Sequence, residues 1–209
     1  RDVDQAKIVF SKVSVSLDVA AYNSLMGAFV RKGRHHEALR LLSEMRARDL
    51  KPNAITFINA LSACVAPENL RDGKFIHACI SDELLESNVV LRNALMTMYG
   101  KCGTINEAEF VSGGLSYHDV VSLTAMLSAY VHQCQGKRAL QLYRKMLMDG
   151  FNPDSKAFAV ALQACGSISP KENDSLLDPY NAKMTSFDIV KALHNDAWRK
   201  GYAYDVALG

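Results

Sequence analysis

Two 35-residue stretches of this chain are copies of one another. Val19–Asn53 reads VAAYNSLMGAFVRKGRHHEALRLLSEMRARDLKPN, and Val120–Asp154 reads VVSLTAMLSAYVHQCQGKRALQLYRKMLMDGFNPD. Aligned without gaps they share Val19/Val120, Ala28/Ala129, Val30/Val131, Ala38/Ala139, Leu39/Leu140, Leu41/Leu142, Met45/Met146 and Pro52/Pro153. Recurrence at a period of roughly twenty to fifty residues marks a chain of stacked supersecondary units, each too small to bury its own apolar face. Such units survive only by burying that face on their neighbours.

The first copy reads as two helices. Tyr22, Leu25, Met26, Phe29 and Val30 recur at three- and four-residue steps and share one face. Gly33 breaks that helix. Ala38, Leu41, Leu42 and Met45 form a second stripe, with Arg46, Arg48 and Lys51 at its C-terminal end, where cations suit the helix dipole. Pro52 is the expected stop, and Asn53 is placed to cap the next helix. Ala54–Asn88 is again 35 residues long. Its first helix carries Phe57, Ile58, Leu61 and Val65 and is expected to end at Pro67; its second carries Leu70, Phe75, Ile76, Cys79 and Ile80. Val89–Asp119 is shorter, at 31 residues. Leu95, Met98 and Tyr99 face inward from one helix and Ile105, Ala108 and Val111 from the other, with Gly103 between them.

Flanking segments fit the same plan less fully. Residues 1–18 resemble the second half of a unit. In 155–205, Ala161–Cys165 echoes Ala60–Cys64, and Lys191–His194 echoes Lys74–His77. The gap between the two echoes has grown by 16 residues, assigned to a loop near 167–186 that is rich in Ser, Pro, Asn and Asp. Residues 206–209 would open a further unit. With no strand-like alternation of useful length, the expected fold is all-α, a right-handed α-solenoid of helix-turn-helix units.

Composition narrows the function. Hydrophobic residues make up 49% of the 209, enough for a sizeable core. The 24 Lys and Arg against 22 Asp and Glu leave a net charge of +2, so any nucleic-acid role must come from local placement. The five cysteines form no C-x-x-C pair and read as free thiols, small buried hydrophobes in a reducing compartment. No apolar run is long enough to span a bilayer. The chain opens on Arg1 without a leader-like segment and reads as a piece of a longer protein. His35-His36-Glu37 matches the H-x-E of zinc deaminases but lacks the later P-C-x-x-C that would hold zinc, so a solvated helix start is expected there. His77 and Cys79 lack further ligands and read as core. Met26, Met45, Met98, Met126 and Met146 fall on helix stripes. No metal, cofactor, small-molecule substrate or catalytic constellation is expected in this chain.

Specific runs carry a family resemblance. Tyr22-Asn23, Gly33-Arg34, Glu37-Ala38-Leu39, Met45 and Lys51-Pro52-Asn53 look like a P-type unit; Ala63-Cys64 and Gly73-Lys74 with His77 look like the L type. Asn93-Ala94-Leu95 followed by Met98-Tyr99-Gly100-Lys101-Cys102-Gly103 looks like the S type. The succession resembles pentatricopeptide repeat (PPR) proteins of the plant PLS subclass. On that resemblance 1–18 ends an S-type repeat, 19–53 is P, 54–88 L, 89–119 S, 120–154 P, 155–205 an L with an inserted loop, and 206–209 the start of a truncated S.

The resemblance implies that the fifth and last residues of a unit read one base of single-stranded RNA. Asn23/Asn53 resembles a pyrimidine pair favouring C over U, Asn93/Asp119 a U pair, and Thr124/Asp154 a G pair. A last-position Asp only accepts and so suits the ring N–H of U or G, whereas Asn can donate. Ile58/Asn88 and Ala159/Asp205 cannot read at their fifth positions and act as spacers, giving 5′-Y-N-U-G-N-3′. Val90 and Val121 would sandwich bases, and Lys32 and Lys101 would meet phosphates. Asn53, Asn88, Asp119 and Asp154 also sit at expected N-caps, which alone accounts for each singly. The implied partner is single-stranded RNA, with editing-complex proteins as further candidates. The implied role is site recognition for C-to-U editing in a mitochondrion or chloroplast, by a chain that is not itself an enzyme. A protein-binding scaffold without RNA readout is the alternative.

Overall fold

The computed structural model describes residues 18–113 and 119–167. The readings made of 1–17, of the insertion beyond Ser167, of the His194 echo and of 206–209 lie outside the described residues. The chain divides into two compact units that meet in sequence between Cys102 and Gly103. Every regular element among the described residues is helical. The first unit holds α1 (Val19–Arg31), α2 (His35–Ala47), α3 (Ala54–Ala63), a 3-10 turn at Pro67–Asn69, α4 (Leu70–Asp82) and α5 (Val89–Lys101). The second holds α6 (Ile105–Gly113), α7 (Val120–His132), α8 (Gly136–Met148) and α9 (Ser155–Gly166).

Within the first unit α1 packs on α3 and α3 on α5, so alternate helices form one layer; α2 and α4 pack against that layer. In the second unit α7, α8 and α9 are mutually packed, with α6 against α7. The apolar stripes read from sequence drive this arrangement. Tyr22, Met26, Phe29, Met45, Phe57, Leu61, Ile76, Ile80, Leu95 and Met98 are almost wholly buried in the first unit. Leu127, Tyr143, Met146, Phe158 and Ala161 form the core of the second. Each large buried side chain contributes about 1.5–3 kcal/mol relative to exposure. Met126 is buried as well, so all five stripe methionines are core.

One turn recurs. The second residue after α1, α2, α4, α5, α7 and α8 has a positive φ: Gly33 (71°), Asp49 (56°), Leu84 (56°), Gly103 (90°), Cys134 (54°) and Gly150 (80°). At five of these, paired backbone bonds close the helix. After α1, for example, the Gly33 N–H donates to Val30 O at 3.0 Å and the Arg34 N–H to Phe29 O at 2.9 Å. These bonds satisfy the last carbonyls of the helix.

That turn corrects the expected stop signals. α2 ends at Ala47, and the left-handed Asp49, not Pro52, closes it. Pro67 opens the 3-10 turn; α3 has already ended at Ala63. Burial brings three more corrections. Phe75, expected inside, is 54% exposed and lies under the Arg46 guanidinium, 5.0 Å from its ring centroid. Cys134 is exposed and Cys165 half-buried, whereas Cys64, Cys79 and Cys102 are buried thiols. Burial pushes the Cys64 thiol up to about 12, which keeps it protonated. Gly73 gains a reason: a Cβ there would collide with the buried Met98 thioether, so any larger residue would force that side chain to shift.

His77 is half-buried and shares a 2.8 Å hydrogen bond with the Tyr99 hydroxyl. Burial lowers its pKa below the ordinary 6.5, with Arg92 acting the same way and Glu86 opposing. The unfolded chain therefore binds this proton more readily than the folded one. The stability at stake is fully present above the ordinary histidine value and is lost as pH falls below it.

Two stability predictions follow from these features. Cys134→Gly and Leu84→Gly each remove a left-handed non-glycine residue and should raise stability by up to about 1 kcal/mol, while Gly33→Ala should lower it by about 1 kcal/mol or more. The urea midpoint reads all three, and loss of stability in both glycine variants would refute the strain assignment. Between pH 7 and pH 5, His77→Gln should lose less stability than the parent; equal slopes would remove His77 from the acid sensitivity.

Candidate nucleic-acid interface

The odd-numbered helices α1, α3, α5, α7 and α9 begin alike. Each is preceded by an Asp or Asn in extended or near-extended conformation whose side chain accepts backbone N–H groups of the first turn. Asp18 accepts from Ala21, Asn53 from Thr56, Asn88 from Val90 and Leu91, Asp119 from Ser122, and Asp154 from Ala157. Each cap uses Oδ1 alone, at 2.7–3.2 Å. The second polar atom, Nδ2 of Asn or Oδ2 of Asp, takes no part in the cap. An aspartate cap thus still presents an acceptor and an asparagine cap a donor. Asn53 and Asp154 are exposed and Asp119 half-buried. The capping and ligand-reading interpretations of these residues therefore use different atoms of one side chain.

The fifth residue of each odd helix lies a turn further in. On α1, Asn23 is 8% exposed, and its Nδ2 donates to Asn53 Oδ1 at 3.1 Å. The orientation of this amide is dictated by its neighbour: Asn53 Oδ1 is already an acceptor for the Thr56 N–H and hydroxyl, so Asn23 must turn its donor there. That leaves Asn23 Oδ1 buried with no partner among the described residues; Asn93 Oδ1, at the same place on α5, is also buried and unpartnered. A buried acceptor left unsatisfied costs about 1–3 kcal/mol, so its recurrence at one helix position calls for a physical reason. Thr124 on α7 differs. It is 2% exposed, and its hydroxyl donates to Val120 O at 2.6 Å, leaving only lone pairs to offer.

Exposed apolar residues flank these positions. The second residues of α3, α5 and α7, Ile55, Val90 and Val121, are 58%, 59% and 59% exposed. Val90 and Val121 were expected from sequence; Ile55 was missed because the unit holding it was read as a spacer. Apolar residues out of helical phase were its signal. Among cations, Lys32 after α1 is exposed and Lys101 at the end of α5 is half-buried. Nearby Arg34 pairs with Glu37 at 2.7 Å and stacks 4.9 Å from the Phe29 centroid. His35 is half-buried with an unpartnered Nδ1, not solvated as expected, while His36 is exposed. Cys79 accepts from Arg46 Nη1 at 2.8 Å.

The comparisons with known proteins accord with this architecture. A family model described as the PPR repeat family matches residues 17–66 and 118–167, each match spanning one duplicated stretch and the helix after it. The chain is 34% identical over 165 residues to pentatricopeptide repeat-containing protein CRR2, chloroplastic, of Arabidopsis thaliana, covering 78% of this chain and 25% of that protein. It is 30% identical over 207 residues to pentatricopeptide repeat-containing protein At3g20730 of the same plant, covering 99% and 34%. Among solved structures, PPR10 from maize superposes with a TM-score of 0.65 at 23% identity over 78% of this chain and 24% of that one. PPR10 in complex with an 18-nt psaJ RNA element gives the same TM-score at 22% identity over 79% and 25%. The chain thus spans about a quarter to a third of the length of these relatives. Its repeated sequence, its helical hairpins and its likeness to the PPR10 α-solenoid together place it in the pentatricopeptide repeat family.

Proposed function

We propose that the chain is a sequence-specific single-stranded RNA-binding segment of a longer PLS-type protein acting in organellar RNA processing. The observation that carries this reading is the half-used cap: at Asn53, Asp119 and Asp154 one polar atom anchors the helix and the other is left for a ligand. An outward aspartate oxygen suits the ring N–H of U or G, and an outward asparagine N–H suits the ring acceptor of C or A. Asn23, Asn93 and Thr124 supply the second contact, Val90 and Val121 flank the bases, and Lys32 and Lys101 meet phosphates. Ile55, exposed to the same extent as the two valines, extends that series. The unit boundaries 19–53, 54–88, 89–119 and 120–154 give one base per unit and the register 5′-Y-N-U-G-N-3′.

Recognition of C-to-U editing sites is the role proposed for the parent protein, with editing-complex proteins as its further partners. Chemistry on the base would come from elsewhere in that parent. A mitochondrial or chloroplast setting draws support from chloroplastic relatives such as CRR2 and At1g11290.

Binding to single-stranded RNA carrying Y-N-U-G should exceed binding to the same RNA with U and G exchanged; equal affinities would sink the register. Lys32→Ala should weaken binding to both RNAs alike and reduce the salt slope by about 1. At Asp154, stability and reading separate. Asp154→Asn keeps the cap and moves preference from G towards A, whereas Asp154→Ala loses about 1 kcal/mol of stability along with the discrimination. No salt-dependent RNA binding, with a protein partner retained in pull-down, would replace this reading by the scaffold.

A further inference from the structure

The pair Asn23/Asn53 does not stand by itself. Two residues of α3, the helix that Asn53 caps, are bonded to it. Thr56 is fully buried; its hydroxyl donates to Asn53 Oδ1 at 3.2 Å and accepts the Asn53 N–H at 3.1 Å, completing a capping box. Asn59, one turn on, donates from Nδ2 to the Asn23 backbone carbonyl at 3.1 Å. Asn53 Oδ1 thus accepts three donors, the Thr56 N–H, the Thr56 hydroxyl and Asn23 Nδ2. With its oxygen fully engaged, Asn53 has only Nδ2 to offer, and its side chain is held through that oxygen.

We infer that Thr56 and Asn59 are positioning residues that fix the polarity and direction of the Asn23/Asn53 pair. This rests on the RNA-reading proposal above. What the pair selects is then set partly by the third and sixth residues of the following helix, neither of which touches the base. The α9 start lacks both devices. The third residue there is Ala157 and the sixth is Val160, so Asp154 is held by the single Ala157 N–H. At α7 the capping box is present through Ser122, 2% exposed, but the sixth residue is Ala125. Readers of one residue type are thus held with different firmness, and the more firmly held should discriminate more sharply.

The test selects bound sequences by the intact protein from a pool of randomised single-stranded RNA. Asn53→Asp identifies the motif column that Asn53 reads, because it exchanges the outward donor for an acceptor. Thr56→Val, which keeps shape and removes the hydroxyl, should cut discrimination in that column roughly five-fold, the equivalent of one hydrogen bond, and leave other columns unchanged. Thr56→Ser should restore it. Asn59→Ala should broaden the same column. A drop in affinity uniform across columns, or Thr56→Val discriminating like the parent, overturns the positioning role while leaving the RNA-reading proposal standing. A parent protein that selects no motif, or whose motif Asn53→Asp does not change, overturns both.

Discussion

No helical hairpin in this chain can keep its own apolar face from water. A two-helix unit of some thirty-five residues has too high a ratio of surface to volume. α1 and α2 pack on one another and on α3, with Tyr22, Phe29 and Met45 buried, and α3 in turn lies on α5. This obligatory neighbour burial explains why the apolar stripe repeats so faithfully between Val19–Asn53 and Val120–Asp154. It also explains why every odd helix needs a cap. Its first turn begins where one hairpin gives way to the next, and the free N–H groups there need acceptors.

On the proposed reading the caps join stability to recognition. An Asp or Asn ahead of a helix contributes about 1 kcal/mol by accepting from the first turn. That requirement fixes the side chain's rotamer and holds its remaining atom in a defined direction. A group so held loses little freedom when it meets a ligand, which is the general advantage of preorganisation. On the proposed reading cap and reader are one device, in which the atom left over from the cap donates at Asn53 and accepts at Asp154.

Much of this was legible in the sequence because it depends on period. The stripes Tyr22–Leu25–Met26–Phe29 and Ala38–Leu41–Leu42–Met45 follow from helical geometry alone, as do the caps at Asn53, Asn88, Asp119 and Asp154. What escaped depends on contacts distant in sequence or on backbone conformation without a residue signature. Phe75 fits an apolar stripe, yet it stays exposed beneath Arg46, a residue 29 positions earlier. The bond from Asn23 to Asn53 spans 30 residues, and the one from Asn59 to the Asn23 carbonyl spans 36. Proline seemed the natural stop after α2, but the chain had already turned at a left-handed aspartate. The exposure of Cys134 escaped for a related reason: it occupies a left-handed turn position that glycine fills in two sister hairpins.

That turn has a consequence for how such a chain changes length. Glycine, aspartate, leucine and cysteine all adopt the same left-handed conformation two residues beyond a helix. The turn's shape is therefore imposed by the two helices it joins and by backbone bonds, not by the side chain at its tip. Several residue types can therefore occupy such a joint, at a strain cost that is least for glycine. The joint is also where residues can be added without shifting the apolar register on either side. An array built on such joints can grow at its turns while its stacked faces and its capped helix starts keep their spacing.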